Sequence, residues 1–543
     1  MKNSKFKLSN LGPMADQHFE NKEYKEAISL YNKILMSNPS NFVAKSNLGL
    51  CHFQLGEFDK ALKIFEKLYK INSSDPALLN RLGVTLNQLG DPINAEAYLL
   101  KASELDPNRF ETWVNLCNVA GSLRKFDVGV HYAFQALQIN PQSPEAYINF
   151  GASLLSVAKY EAALIAFQTA LELSPHNQIA AINIGSTYSY LNRIEDAIDA
   201  FEKAIAINPA HPFSDKIRFF LSMEFLKIGQ IAKGFSLYEY GFSKLGYATR
   251  NPARVFNSQK WDGKPIADAD KLLIWREQGL GDELLFFSCL PDVFTKVPAN
   301  QVIIECDPRL VNLLRQSFPE CSVRSASYKP APDFSSIFND FEYQLPCGSL
   351  PHIFRKEIRS FDRSGPYLVP DNHLVEKYKR RLGDDFTNLR IGICWRSGVL
   401  DANRNLHYAP LADWINILSM KGVTFVNLQY GQCTNELLDI SEHYGVHINN
   451  WPDVDLKNHL DDVAGIIGGL DLVISAGTAV AEMAAAIGIE TWVYFTQANW
   501  GMLGQDKYPW YENCKAFISK RSDHSDSIFA IAEALKSKLI SDQ

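Results

Sequence analysis

The chain has 543 residues, of which 46% are hydrophobic, and a formal net charge of -7. This length exceeds what one hydrophobic core usually organises, so we expect about two to four domains. The acidic balance argues against nucleic-acid binding, and no apolar run approaches the roughly 20 residues that span a bilayer. The nine cysteines lack metal-ligand spacing, and the first residues contain no apolar signal core. We therefore expect a cytoplasmic protein.

Residues 1–250 are predicted to form a helical repeat array that ends in capping helices. Small residues recur every 34 positions in two columns: Gly49, Gly83, Cys117, Gly151 and Gly185, and Ala27, Ala61, Ala95, Gly129, Ala163 and Ala197. Small side chains let two helices approach closely, and aromatic residues such as Phe65 and Phe167 fill the gap to the next pair. The pattern resembles the tetratricopeptide repeat (TPR), in about six units between residues 10 and 211.

The array is expected to bind a protein or peptide in a concave groove, as such arrays mostly do. A self-packing spacer or an oligomerisation surface is the alternative. Asn115, Asn149 and Asn183 share one register, which suits either an extended bound backbone or plain solvated positions. Residues 219–242 continue the pattern weakly, and we interpret them as a closing helix pair.

From residue 251 onward, strand-like runs alternate with helical ones, which predicts an α/β fold of two Rossmann-like domains. In the first domain (251–370) we expect strands near 272–275, 302–305 and 341–345, and helices near 283–294 and 309–318. In the second (371–543) we expect strands near 391–395, 424–429, 472–475 and 491–495, and helices near 410–420, 435–444, 461–468, 478–487 and 526–539. A polar link at 359–376 joins them. The cleft between two such domains is a common ligand site.

The sequence LLIWREQGLGDELLFF at residues 272–287 predicts a buried strand, a turn with Gly279 and Gly281, and a helix. Such a turn leaves backbone N–H groups and a helix amino terminus facing a ligand. Asp282 is expected in the first turn of that helix, where it either carries chemistry or only caps the helix.

Two motifs in the second domain indicate phosphate binding. Arg396 follows a predicted strand and Arg404 lies in the next loop, and arginine binds phosphate oxygens in bidentate fashion. Solvated surface charges are the alternative for both. Gln429 also ends a strand on the ligand side, where it either meets a nucleobase or forms a simple turn.

The second phosphate motif, DLVISAGTAVAEMAAAIG at residues 471–488, runs from a strand into an Ala-rich helix. The small residues Gly477 and Ala479 allow backbone amides to approach a pyrophosphate, and the helix dipole favours its charge. Thr478 adds a hydroxyl donor or serves as an N-cap. Glu482 either accepts a hydrogen bond from a ribose or sugar hydroxyl or is solvated. The aromatic segment 497–513 either covers the cleft or docks the repeat array.

These motifs resemble glycosyltransferase family 9, the bacterial heptosyltransferases. In that family an aspartate matching Asp282, after a glycine matching Gly281, is the catalytic base. The segment 473–488 is similar to its donor-phosphate motif, but Gly477 replaces an aspartate and Glu482 stands in place of a histidine. The whole pattern also resembles a bacterial family of TPR proteins with a transferase-like domain, some of whose relatives are implicated in flagellin glycosylation.

The resemblance implies a metal-independent glycosyltransferase with two Rossmann-like domains in the GT-B arrangement. The donor would be a nucleotide-sugar, without a further cofactor, and the acceptor a protein presented by the TPR array. The two departures from the donor motif keep open an alternative from another class, a non-catalytic scaffold with a degenerate transferase-like domain.

Overall fold

A computed structural model of the protein describes residues 11–211, 213–242, 249–251, 254–327, 335–362, 365–383, 388–398, 408–497, 499–519 and 523–541. The chain divides into two compact units, residues 1–187 and 188–543. The domain limits proposed from the sequence at residues 250 and 370 stay predictions.

The first unit consists of successive helix pairs, as the repeat pattern predicts. Its helices are α1 Leu11–Glu20, α2 Tyr24–Ser37, α3 Phe42–Gln54, α4 Phe58–Tyr69, α5 Pro76–Gln88, α6 Pro92–Leu105, α7 Phe110–Ser122, α8 Phe126–Ile139, α9 Pro144–Ser156, α10 Tyr160–Leu173 and α11 Gln178–Tyr190, the last of which crosses into the second unit.

Small residues are required where paired helices touch. A Cβ atom built on Gly49 would lie 2.5 Å from Cε1 of Phe65, and one on Gly151 would lie 2.6 Å from Cε1 of Phe167. Phe65 and Phe167 are both fully buried, so neither ring has room to move away. In these two pairs the small residue of the repeat is therefore needed because a ring packs against its backbone.

The second unit begins with three helices, and the last two pack on the α/β region that follows them. These are α12 Ile194–Ile207, α13 Phe213–Lys227 and α14 Ile231–Tyr238, and α13 and α14 form the predicted closing pair. The rings of Phe235 and Trp510 lie 6.3 Å apart at 88°. Gly229, in the turn between α13 and α14, lies against Gly504. A Cβ atom built on Gly504 would lie 2.6 Å from the Gly229 nitrogen.

The first sheet is parallel throughout, with strand order β1-β5-β2-β3-β4. Its strands are β1 Gln259–Lys260, β2 Leu272–Trp275, β3 Val302–Cys306, β4 Ser322–Ser325 and β5 Tyr343–Pro346. Its helices are α15 Leu280–Phe287, α16 Leu290–Phe294, α17 Val311–Ser317 and α18 Leu350–Phe354. All four residues of β2 are buried, as a central strand requires.

The second sheet is also parallel, with order β11-β10-β9-β6-β7-β8. Its strands are β6 Leu389–Cys394, β7 Val423–Asn427, β8 Ile448–Asn449, β9 Leu472–Ala476, β10 Glu490–Phe495 and β11 Cys514–Ile518. The helices of this part are α19 Asn372–Leu382, α20 Ile415–Leu418, α21 Thr434–Tyr444, α22 Leu460–Ile467, α23 Ala479–Ile487 and α24 Ser525–Ser541.

Two predicted elements need correction. The helix expected at 283–294 begins at Leu280 and is broken into α15 and α16. Pro291, in the first turn of α16, has no N–H group to continue the hydrogen bonds of α15. The polar link expected at 359–376 is shorter, because α19 begins at Asn372. Asp371 caps α19 by accepting a hydrogen bond from the His373 nitrogen at 2.7 Å.

Candidate functional site

A cavity of about 520 Å³ lies where strands of both sheets end. Two of its walls are the amino-terminal turns of α15, which follows β2, and of α23, which follows β9. Aromatic side chains complete much of the lining: Tyr408, Tyr430, Phe495, Trp500 and Tyr508. This is the carboxyl edge of the strands, the usual ligand side of a parallel α/β sheet.

The α15 wall contains three residues predicted from the sequence, Gly279, Gly281 and Asp282. The Asp282 carboxylate accepts a hydrogen bond from the Gly279 nitrogen at 3.2 Å, so Asp282 caps the helix and also lines the cavity. Burial raises the pKa of Asp282 above its ordinary value. The hydrogen bond from Gly279 lowers this pKa by a smaller amount, and the nearby charge of Glu277 raises it further. A carboxylate with a raised pKa is a better base than an exposed one.

The turn before α15 is held by buried ionic contacts. Glu277 accepts hydrogen bonds from the fully buried Arg250 guanidinium, with the Nε at 2.6 Å, and from the Gly348 nitrogen at 2.8 Å. Gln278 has a positive φ of 58°, and its nitrogen donates to the Asn251 carbonyl at 2.6 Å. A non-glycine residue in the left-handed region is strained, so this turn is fixed by its surroundings.

The α23 wall contains Gly477, Thr478 and Ala479, and it comes close to α15. A Cβ atom built on Gly281 would lie 3.5 Å from the Ala479 nitrogen, an ordinary contact distance. A Cβ atom on Gly477 would lie 2.6 Å from Cε1 of Phe495, so a side chain at position 477 requires this ring to move. The Thr478 hydroxyl lies 3.3 Å from the Ser475 hydroxyl and does not cap the helix.

Glu482, in the first turn of α23, also lines the cavity and is only 9% exposed. Its Oε1 accepts a hydrogen bond from the Tyr508 hydroxyl at 2.6 Å. Burial raises the pKa of Glu482 to about 8, with the Tyr508 hydrogen bond acting against this and the Asp282 charge adding to it. Glu482 is therefore not a solvated helical residue.

Arg396 and Gln429 do not line this cavity. The Arg396 guanidinium pairs with Glu436, with Nη2 at 2.5 Å from Oε1, and donates to the Gln432 carbonyl at 2.8 Å. Gln429 is 1% exposed, and its Oε1 accepts from the backbone nitrogens of Trp395 and Arg396 at 3.1 and 2.9 Å. Gln429 thus fixes the turn after β6. Arg404 lies outside the described residues, and the ligand-binding roles of all three stay predictions.

Two cationic residues that the sequence analysis missed, Arg309 and Lys457, line the cavity instead. Arg309 pairs with Asp307 at 2.8 Å, and its Nη1 donates to the Lys457 carbonyl at 2.8 Å, which joins the segment after β3 to the loop before α22. The position of Arg309, two residues after Asp307 at the end of a buried strand, is a signal that was present in the sequence. Lys457 stands in a polar loop without such a signal.

The aromatic segment 497–513 both lines the cavity and packs on the closing helices, since Trp500 and Tyr508 face the cavity while Gly504 contacts Gly229. Within the described ranges, no helix is long and apolar enough to cross a membrane. Among the same residues, no group of three or more His, Cys, Asp or Glu side chains is placed to hold a metal ion.

Comparison with known proteins identifies the repeats. Tetratricopeptide repeat models match residues 18–82, 76–109, 144–177 and 180–211. Protein FlbA of Caulobacter vibrioides is 30% identical over 304 residues, which cover 54% of this chain and 50% of FlbA. The chain therefore spans about half the length of this curated relative.

Solved structures that resemble the chain each cover between 30% and 38% of it. MamA is 23% identical. The match covers 30% of this chain and 95% of MamA, with a TM-score of 0.28. YrrB, described as a TPR protein with an unusual peptide-binding site, is 23% identical. The match covers 34% of this chain and 95% of YrrB, with a TM-score of 0.29. PilW, described as a type IV pilus biogenesis factor, is 19% identical. The match covers 38% of this chain and 94% of PilW, with a TM-score of 0.36. The matches to tetratricopeptide repeat models and the two observed sheets show that the protein combines an amino-terminal TPR solenoid with a parallel-stranded α/β region of two sheets.

Proposed function

We propose that this protein is a glycosyltransferase that moves a sugar from a nucleotide-sugar to an acceptor presented by its TPR array. The observation that carries this proposal is the position of Asp282. It lines the cavity from the first turn of α15, and the amino terminus of α23 forms another wall of the same cavity. A base and an anion-binding helix end then serve one ligand.

In the proposed reaction Asp282 accepts the proton of an acceptor hydroxyl. The hydroxyl oxygen attacks the anomeric carbon of the donor, a new C–O bond forms, and the bond from that carbon to the phosphate oxygen breaks. The leaving phosphate keeps the electron pair. Backbone N–H groups at Ala479 and the charges of Arg309 and Lys457 stabilise it, so no metal ion is needed in this scheme.

The two parallel sheets, each with its strand ends at the cavity, support a GT-B arrangement with the acceptor on the α15 side and the nucleotide on the α23 side. The TPR repeats support a protein or peptide acceptor, because such arrays mostly bind polypeptide. The similarity to FlbA does not indicate a reaction or a substrate.

One observation favours a second candidate, a non-catalytic scaffold that binds a partner through the TPR groove. Arg396, the arginine expected to meet the leaving phosphate, is engaged with Glu436 outside the cavity. In this case the α/β region has no nucleotide-sugar to bind.

Nucleotide binding separates the two candidates. Thermal unfolding of the full chain is measured with ADP, UDP, GDP and CMP, for the unchanged protein and for Lys457→Ala, with Lys507→Ala as a matched control of an exposed lysine outside the cavity. A ligand at 100 times its Kd stabilises by about 2.7 kcal/mol. A response to one nucleotide that only Lys457→Ala weakens supports the transferase. An unfolding temperature that none of the four nucleotides raises favours the scaffold.

A further inference from the structure

A second, smaller cavity adjoins the ligand cavity, and we call it the side cavity. Its volume is about 260 Å³, which is room for an amino-acid side chain, since one water molecule takes about 30 Å³. Lys227, the last residue of α13, lines it, and α13 also packs on the segment Trp500–Met502. Five residues line both cavities: Tyr408, Gly477, Phe495, Asn499 and Trp500.

The side cavity borders a positive charge. Among the described residues that line it, Lys227 is the one with a charged side chain. The Nζ of Lys227 lies 2.9 Å from Oε1 of Glu224 and donates to the Ser189 hydroxyl at 3.0 Å. Glu224 lines neither cavity, and its side chain is only 3% exposed. The carboxylate that balances Lys227 is therefore buried in the helix packing, away from the cavity wall.

We infer that the side cavity binds an acidic side chain of the acceptor polypeptide, next in sequence to the hydroxyl residue that receives the sugar. This inference rests on the proposed function, in which the acceptor hydroxyl lies at Asp282, and it adds a sequence requirement to the acceptor. An acidic side chain is the one whose charge complements Lys227, while a basic side chain would be repelled.

A polypeptide is the occupant that the surroundings of the side cavity favour. The last matched repeat covers residues 180–211, α13 follows it directly, and arrays of this kind mostly bind polypeptide. The amide groups of Gln497 and Asn499 offer both donors and acceptors to a peptide backbone. The rings of Phe495 and Trp500 provide apolar surface for the methylene groups of a glutamate.

Peptide binding to the full chain tests this inference. Fluorescence anisotropy is measured at neutral pH with three labelled peptides, Gly-Gly-X-Ser-X-Gly-Gly, in which X is Glu, Gln or Lys. Lys227→Gln removes the cation, whereas Glu224→Gln keeps the cation and removes the carboxylate beside it. Lys233→Gln is the matched control, because Lys233 is an exposed lysine of α14 that lines neither cavity.

The unchanged protein and Lys233→Gln should bind the Glu peptide about tenfold more tightly than the Gln peptide, because a hydrogen bond between charged groups is stronger than a neutral one. The Lys peptide should bind most weakly. Lys227→Gln should bind the Glu and Gln peptides equally. Glu224→Gln should enlarge the preference for Glu, because the positive charge of Lys227 is no longer balanced. A merely structural ion pair would instead weaken peptide binding in both variants.

Three results would overturn this inference alone, with nucleotide binding intact: no binding of the Glu peptide, no preference for it over the Gln peptide, or a preference that persists in Lys227→Gln. If Lys227→Gln does not fold, Glu224→Gln decides, and a smaller preference for Glu in that variant overturns the inference. Failure of ADP, UDP, GDP and CMP to bind the unchanged protein would overturn the proposed function, and this inference with it.

Discussion

Two carboxyl side chains line one cavity, and their surroundings differ. Asp282 accepts a backbone hydrogen bond, which favours its charged form, while Glu482 is buried with one oxygen unpartnered. The pKa values of both are raised, and that of Glu482 reaches about 8. Pairs of carboxyls set apart in this way are how enzymes obtain a base and an acid from the same functional group.

Replacing Asp282 by Asn should lower the rate of sugar transfer by about 10²–10⁴-fold, because the base is lost. The amide oxygen still accepts from the Gly279 nitrogen, so α15 remains capped and nucleotide affinity should be unchanged. Steady-state kinetics and calorimetry measure the two quantities. An equal loss of transfer and of nucleotide binding would show that Asp282 is not the base.

Glu482→Gln should flatten the dependence of stability on pH. The folded-state pKa of about 8 lies above the ordinary 4.5, so between these values the folded protein holds a proton that the unfolded chain has released. The stabilisation is complete below pH 4.5 and is lost as the pH rises through 8. Thermal unfolding from pH 5 to 8 should show a steeper decline for the unchanged protein.

Glu283, whose pKa is about 7, contributes a decline of the same sign in both proteins, so the difference between the two curves isolates Glu482. Parallel curves for the unchanged protein and Glu482→Gln would mean that Glu482 is ionised throughout this range.

At the scale of elements, the contact between the closing helices and the aromatic segment depends on glycine. Gly504 has a φ of 71°, and a Cβ atom there would lie 2.6 Å from the Gly229 nitrogen, which belongs to rigid backbone. Gly422 has a similar φ of 78° but open space around it. The two positions therefore separate backbone strain from steric overlap.

Gly422→Ala should lower the free energy of unfolding by about 1–2 kcal/mol, the cost of a left-handed L-residue. Gly504→Ala should cost about 1–3 kcal/mol more, because the backbone of the α13–α14 turn must move as well. Denaturant unfolding of both variants measures the difference. Equal losses would mean that the contact at Gly229 yields easily.

The sequence was informative where a pattern repeats or a strand is fully buried. The helix pairs and strand β2 follow from periodicity and from an apolar run. The strands β1, β4, β8 and β11 were missed, since two to five residues of mixed polarity or burial carry no periodic signal. Helix α19 was read as a link because its residues are strongly polar.

The site was only partly predictable for a related reason. Asp282, Gly477 and Glu482 line the cavity because they follow central strands, a position that sequence can identify. Side-chain direction is not encoded in that way. Arg396 also follows a central strand, yet it turns to Glu436, which lies 40 positions later in the chain.

At the scale of the whole molecule, repeats contact only their neighbours, so the array can be shortened from its amino-terminal end. Removal of residues 1–107 deletes α1 to α6 and leaves the chain intact from α7 onward. Nucleotide affinity should be unchanged, while transfer to a protein acceptor should be largely lost. Calorimetry and a transfer assay test this, with a free small-molecule acceptor as the control substrate. Undiminished transfer to protein would exclude the part of the groove formed by α1 to α6 as the acceptor site.

The contact of Gly229 with Gly504 has a thermodynamic consequence. Gly504 follows Trp500 by four residues and precedes Tyr508 by four, and both side chains line the cavity. A displacement of the α13–α14 turn would therefore act on the segment that carries these two side chains. If a molecule that shifts this turn changes nucleotide affinity by some factor, bound nucleotide must change the affinity of that molecule by the same factor. Under the proposed function, acceptor recruitment and donor occupancy would then be reciprocal quantities, and each could be measured through the other.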